Sequence, residues 1–305
     1  MLTDKAMFDL VILTDHRYVN PNKTDWYIDQ VLLEDQLLQT ALEEKGLRVI
    51  KKDWADKHFD WTTTKYAIFR TTWDYFERFD KFFTWLKNTK NKTTFINSAE
   101  IINWNIDKHY LQDLAKNNIN IAPTIFIEKG ETITLKQLFE KTNWKEVVLK
   151  PAISGAARHT YRVNHNNYKE HENIFQELIK VECMLFQSFL KNITFLGEIS
   201  LIMIGEKYTH AVKKTAKKGD FRVQDDHGGK VEEYQPNKEE IIFAENCLKA
   251  SPFSPLYARV DIVYDNNNII SLSELELIEP ELWFRNNPTS ANLLAEEVIN
   301  LISSK

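Results

Sequence analysis

The stretch that most limits what this chain can fold into is residues 257–282, YARVDIVYDNNNIISLSELELIEPEL, which reads as two strands and a turn. Val260, Ile262 and Tyr264 alternate with Arg259, Asp261 and Val263, and Asp265-Asn266-Asn267-Asn268 supplies turn chemistry. A second β-rich run covers 269–278. If Tyr264 pairs near Ile269, Asp261 falls opposite Leu272 and shares a face with Glu274 and Glu276. Leu275 and Leu277 then point to the other side. Side chains at i and i+2 on a strand stand roughly 6–7 Å apart. At that spacing two carboxylates repel by ~0.7 kcal/mol in water and several-fold more when partly buried. Convergent carboxylates call for a cation, and oxygen-only donors without a nearby His or Cys favour Mg²⁺ over zinc. A solvated acidic strand face accounts for the same residues, and the hairpin alone does not separate the two readings.

The 305-residue length suits two or three lobes that share a core. Composition bears on partners: 43% hydrophobic and 12% aromatic content describe a globular chain, and a net charge of −5 gives no field for nucleic acid or an anionic membrane. Cys183 and Cys247 form no metal or redox spacing, as in a reduced, cytoplasmic protein with buried free thiols. The apolar run in MLTDKAMFDLVILTDHR is too short for a signal peptide, and no apolar run reaches ~18 residues. A homodimer is allowed by the sequence without being required by it.

From the N-terminus, strands are expected over 8–14, 47–51, 66–70 and 94–97, with helices over 28–46 and 79–86. Strands separated by helices predict a parallel α/β sheet whose ligands gather at strand C-termini. Arg70 and Asp74, in RTTWDY, occupy such a place and are candidate substrate contacts, a reading favoured over a capped turn in which Thr71 or Thr72 leads into a helix and Trp73 packs. A helix over 106–117 carries Lys108 near its start, where the macrodipole disfavours a cation unless an anion is also held there. Extended chain follows over 119–127.

A second β-rich unit opens with Glu146-Val147-Val148-Leu149-Lys150-Pro151 and the small-residue loop Ala152 to Arg158. Such a loop lets backbone approach phosphate, although GxxxxGK[ST] spacing is absent. A return strand over 161–163 and a helix over 173–179 come next. The strand over 183–190 contains Gln187, which needs partners if buried. Strands over 197–204 and 208–212 precede KKTAKKGDFR, a cluster of five cations that reads either as a solvated loop or as a flap over transferring phosphate. Helices are expected over 239–250 and 290–302. His109, His210 and His227 read as local hydrogen-bonding residues.

Taken in order, these segments resemble the ATP-grasp superfamily, in particular its glutathione-synthetase-like and D-cycloserine-forming branches. NWNIDKHYLQDLAKNNINIAPT is similar to the segment bearing the family's first ATP-binding lysine, which points to Lys108. VVLKPAISGAAR resembles the second lysine and its phosphate loop, hence Lys150, Ser154, Gly155 and Ala156, with two alanines where glycines are common. FQSFL resembles the adenine-holding segment, through Gln187 and the backbone at Phe189 and Leu190, and Glu198 falls at the ribose position. KKTAKKGDFR with HGG resembles the γ-phosphate loop and gives Lys214 and Arg222 catalytic roles. ARVDIV…SELELIEP resembles the metal motif, giving Asp261, Glu274 and Glu276, with Glu276 where glutathione synthetase has Asn. Glu279 and Glu281 then lie where an amino-bearing substrate could dock.

The resemblance implies an ATP-grasp fold of α/β and α+β lobes: a parallel-sheet pre-ATP-grasp domain over 1–104, a lid subdomain over 105–186 and a metal-bearing subdomain over 187–305. It implies ATP with one or two Mg²⁺, or Mn²⁺, and a small-molecule carboxylate converted to an acyl phosphate for attack by an amine, within one molecule or between two. A kinase that stops after phosphoryl transfer and a nucleotide-binding module without turnover are the rival expectations.

Overall fold

The computed structural model describes residues 7–217, 219–223 and 228–304. The first six residues of the N-terminal run, Lys218 of the cationic loop and His227 lie outside the described residues.

Strand β1 (Phe8–Thr14) is apolar on both faces because it lies inside a sheet, and Leu10, Val11, Ile12 and Leu13 are fully buried. It pairs in parallel with β2 (Val49–Asp53) and β3 (Thr64–Thr71), and β3 pairs in parallel with β4 (Thr94–Ile96), giving the order β2-β1-β3-β4. The crossovers carry α1 (Trp26–Glu44) and α2 (Phe79–Thr89). Asp25 starts α1 by accepting from the Ile28 N–H, a cap contributing ~1 kcal/mol.

The helix expected over 106–117 starts only at Tyr110, as α4 (Tyr110–Lys116), and a separate helix not expected from the sequence, α3 (Ala99–Asn105), precedes it across a turn containing Lys108. The Asp107 carboxylate accepts from the His109 N–H at 3.0 Å, a side-chain turn that competes with helix. The Lys108 N–H donates to the Ala152 carbonyl at 3.0 Å, which ties this turn to the small-residue loop.

The second sheet is antiparallel, with order β5-β8-β6-β7: β5 (Thr124–Ile127), β6 (Glu146–Pro151), β7 (Tyr161–Asn164) and β8 (Met184–Ser188). Helices α5 (Leu135–Thr142) and α6 (Tyr168–Val181) bury Leu138, Phe139 and Phe175 against it. The domain join expected at 186/187 falls inside β8, so sheet membership moves it beyond Ser188.

The short helix α7 (Ile193–Leu196) leads into the third sheet, formed by β9 (Glu198–Ile204), β10 (Lys207–Thr215), β11 (Lys230–Tyr234), β12 (Tyr257–Tyr264) and β13 (Ile270–Glu276). It is antiparallel, in the order β11-β10-β9-β12-β13. Helix α8 (Lys238–Ala250) packs on this sheet, and α9 (Thr289–Ser303) returns to α1. Leu10 and Leu38 share one core with Ile202, Leu282 and Leu294, so the first and third units are packed as one. No helix among the described residues is long and apolar enough to cross a membrane.

The β12–β13 register differs from the expected one. Tyr264 pairs with Ile270, and a bulge at Ser273 then shifts the ladder, so Asp261 faces Glu274 instead of Leu272. Leu272 turns into the core opposite Ile262, and Arg259 pairs with Glu276.

Candidate active site in the interlobe cleft

A cleft of about 460 Å³ opens between the second and third sheets and is capped by side chains of the first unit. The turn before α4 brings Lys108, β6 brings Lys150, and β10 brings Lys214. Asp261 on β12 and Glu274 and Glu276 on β13 line the same cleft. Ser154, Gly155, Ala156, Gln187, Glu198, Arg222 and Glu279 also line it.

Charge in the cleft is tightly matched. The Lys108 ammonium lies 2.8 Å from Glu274 and donates to the Ser154 carbonyl at 2.8 Å. Burial opposes its charge, but Glu274 more than offsets this and carries its pKa above the ordinary value. Lys214 bridges Glu198 at 2.5 Å and Asp261 at 3.3 Å, and those two carboxylates likewise overcome burial and raise its pKa. Burial also works against the Asp261 charge, but Arg259 and Lys214 hold the carboxyl below its usual range. Arg259 donates to Asp261 at 3.0 and 2.9 Å and also reaches Glu276. Burial, with Asp261 and Glu274 beside it, pushes Glu276 upward.

Lys150 differs from the other two lysines. Among the described residues its ammonium makes no hydrogen bond or close ion pair; Glu274 and Glu198 attract it only at longer range. Burial lowers its pKa. A cation facing a cleft in this way is matched to an anion that arrives from outside.

The small-residue loop holds its shape at a conformational cost. Ala156 and Ala157 adopt φ of 47° and 53°, and His159 adopts 48°. That region costs a residue with a Cβ roughly 1–2 kcal/mol. A Cβ added to Gly155 would lie 2.6 Å from the Phe76 ring, so this glycine is what lets the loop close on the first unit. Arg158 fixes the far side of the loop to Glu182 at 2.8 and 2.9 Å.

Four expected contacts lie elsewhere. Arg70 is 1% exposed, pairs with Glu34 at 2.6 Å and packs beside Tyr257 and Phe284, so it lies beneath the cleft and does not line it. Asp74 is buried, accepting from Trp54 Nε1 at 2.7 Å and from Arg78, and is likewise outside the lining. Phe189 and Leu190 are buried and do not line the cleft, Phe189 packing edge-on against Phe221, which does. The Phe189 N–H and C=O are already bonded, to the Glu146 carbonyl and the Asn266 amide. Gln187 does line the cleft, donating to Thr124 Oγ1 at 2.9 Å. Of the two thiols expected to be buried, Cys247 is buried and Cys183 only partly so. His109 and His210 make local hydrogen bonds, the former to Asp107 and Glu128.

Sequence reasoning missed Arg259, whose place on the carboxylate face was legible as the i−2 neighbour of Asp261. It also missed the aromatic wall of Tyr18, Tyr27 and Trp73, which comes from three separate segments.

The donor chemistry on the cleft floor, oxygen only, fits magnesium. Basic side chains stand among Asp261, Glu274 and Glu276 as their present counter-charges. Among the described residues, the group of three or more His/Cys/Asp/Glu ligand atoms lying within 4.8 Å of one another is that of Asp15, His16 and Asp74, so the oxygens of Asp261, Glu274 and Glu276 are not drawn that close together. Beside Asp15 and Asp74, Arg17 and Arg78 already neutralise the two acids, and His16 is largely exposed.

Parallel sheet, antiparallel lid and a cleft with lysines above a carboxylate floor together define an ATP-grasp enzyme of the ligase type. The RimK-like ATP-grasp domain description matches residues 107–278, and the chain belongs to that family. Residues 10–97 match the N-terminal domain of D-cycloserine synthetase DcsG. The cycloserine biosynthesis protein DcsG of Streptomyces lavendulae is 24% identical over 260 residues, covering 80% of this chain and 86% of that protein. A crystal structure of D-cycloserine synthetase DcsG aligns with a TM-score of 0.84 at 22% identity, over 95% of this chain and 98% of that one. The RimK domain ATP-grasp protein of Sphaerobacter thermophilus aligns at 0.66 and 15% identity, over 95% and 98%.

Proposed function

We propose that this enzyme is an ADP-forming ligase that activates a substrate carboxylate as an acyl phosphate and passes the acyl group to a nitrogen nucleophile. The observation that carries the reading is the convergence of Lys108, Lys150 and Lys214 on one cleft, with Lys150 lacking a close counter-charge. Three cations at a carboxylate floor suit a polyphosphate with its metal better than they suit a neutral ligand.

Asp261, Glu274 and Glu276 are the residues that would hold Mg²⁺, and Mn²⁺ suits the same donors. The ion supplies charge neutralisation at the phosphates. Lys108 and Lys150 bind phosphate oxygens, and the Ser154, Gly155 and Ala156 loop covers them with backbone. Gln187 offers an amide edge to the base, and Glu198 stands at the ribose. Lys214, Arg222 and Arg259 stabilise charge at the carboxylate under attack. The protein provides position and electrostatics and no covalent nucleophile.

The likeness to a D-cycloserine synthetase supports a nucleophile within the substrate itself, so that ligation closes a ring. The test is nucleotide analysis after incubation with Mg-ATP and amino acids, ureido-amino acids or short peptides. ADP and phosphate released only with a carboxylate are the expected products. AMP with pyrophosphate overturns the mechanism, and a stable phosphorylated product makes the enzyme a kinase.

A further inference from the structure

The loop over residues 152–158 is pinned to its own unit at both ends. The Ala152 N–H donates to the Cys183 carbonyl at 2.9 Å, and Arg158 pairs with Glu182 at 2.8 Å. Between these anchors the Ser154 carbonyl accepts from the Lys108 ammonium at 2.8 Å, and the Ser154 hydroxyl donates to the Arg158 carbonyl at 3.0 Å. The tip is held differently. The N–H groups of Gly155, Ala156 and Ala157 make no hydrogen bond among the described residues, and all three residues line the cleft. Consecutive free amides in a turn of this kind form a concave donor set for an anion.

The support for the tip comes from the first unit. Phe76 lines the cleft, and its Cε1 and Cδ1 atoms lie 2.6 and 2.9 Å from where a Cβ on Gly155 would stand. Gly155 lies outside the left-handed region, and the atoms nearest that Cβ all belong to the Phe76 ring, so the ring alone is what demands glycine here. Phe76 and Ile153 both pack against the cluster of Leu13, Phe69 and Phe82 in the first unit. The turn over 72–78 fixes the ring in turn: the Tyr75 N–H donates to the Thr72 carbonyl and the Arg78 N–H to the Tyr75 carbonyl, each at 3.2 Å. Asp74 steadies the same turn by accepting from Trp54 Nε1 and from Arg78. The buried Tyr75 ring meets Phe76 edge-on, with centroids 5.7 Å apart at 81°.

We propose that Phe76 is the positioning residue for the loop tip: its ring, seated on Gly155, aims the free amides of residues 155–157 at the nucleotide phosphates. The phosphate site of the second unit is thereby completed only while the first unit is packed against it. This rests on the reading of residues 154–156 as the loop that covers phosphate.

The test measures binding of a non-hydrolysable ATP analogue with Mg²⁺ by calorimetry and amide exchange by mass spectrometry, with adenosine as the probe that lacks phosphate. In the wild type the Mg²⁺–analogue complex should slow exchange at residues 155–157, and adenosine should not. Phe76→Ala should shrink that protection and weaken analogue binding by about tenfold, the loss of one misaligned charge-assisted bond, with adenosine affinity and exchange in β1 unchanged. Phe76→Leu, which keeps apolar bulk, should recover most of the affinity. Gly155→Ala, which leaves the first unit untouched, should weaken the analogue likewise. Combined with Phe76→Ala it should cost less than the two losses added, because the vacated ring space admits the new Cβ. Wild-type analogue affinity in either single variant, or strictly additive losses, overturns the positioning role and leaves the phosphate loop standing. Analogue binding by the wild type without protection at residues 155–157 overturns the phosphate-loop reading, and the positioning role with it.

Discussion

Asp261 stands directly across from Glu274 on the β12–β13 ladder, and it does so because Ser273 is the extra residue of a bulge. Were Ser273 an ordinary ladder residue, Leu272 would share the carboxylate face with Glu274. With the bulge, Leu272 enters the core, and the Ser273 hydroxyl donates to Glu198 at 2.8 Å. One inserted residue therefore sets both the core packing of the hairpin and the spacing of its acids.

Glu274→Gln keeps the shape of the side chain while removing the charge that faces Lys108 and Asp261. Turnover should fall by more than about tenfold with a near-wild-type fold. Steady-state ADP release and circular dichroism check this together; unchanged Mg²⁺-dependent turnover rejects the metal assignment.

Lys150→Ala removes the cleft cation that has no close counter-charge. Loss of a charge-assisted bond of about 1.5–3 kcal/mol corresponds to roughly ten- to hundredfold weaker ATP binding. Titration calorimetry with a non-hydrolysable ATP analogue measures it, and undiminished affinity counts against the phosphate assignment.

Gly197 has φ of 75°, and an added Cβ would collide with the Lys214 carbonyl. Gly197→Ala should lower stability by roughly 1–3 kcal/mol and displace β10 beside Lys214. Urea unfolding reads the first effect and Mg-ATP affinity the second.

His210 is buried between the Leu282 carbonyl at 2.9 Å and the Thr209 and Ser290 hydroxyls. Burial lowers its pKa below the ordinary 6.5, so the fold favours neutral imidazole. Its contribution is fully present above the unfolded-state value and is lost as pH falls from about 6.5 toward the folded value. The denaturation midpoint of wild type should therefore drop more steeply between about pH 7 and 5 than that of His210→Gln. Parallel curves would contradict this.

Much of the fold was legible because burial writes a simple pattern. β1 is apolar throughout, and the helix around Val31 and Leu38 repeats at helical spacing. Less legible were elements whose cause is tertiary: β11 is polar and exists by pairing with β10, and the break between α3 and α4 follows from Asp107 and the Ala152 contact. At the site, Lys108, Lys150 and the hairpin acids could be found from motif order. The bulge could not, since no local signal distinguishes Ser273 from Ser271. Arg70 misled for a physical reason: an arginine at the end of a parallel strand faces ligand or core depending on a partner, Glu34, far away in sequence.

The central claim is that phosphate passes through the substrate carboxylate, and isotope transfer tests it most directly. A carboxylate substrate labelled with ¹⁸O is turned over with Mg-ATP, and the released inorganic phosphate is analysed by mass spectrometry. Acyl-phosphate chemistry puts one labelled oxygen from the carboxylate into each phosphate formed; phosphate free of label, released alongside product, would contradict it.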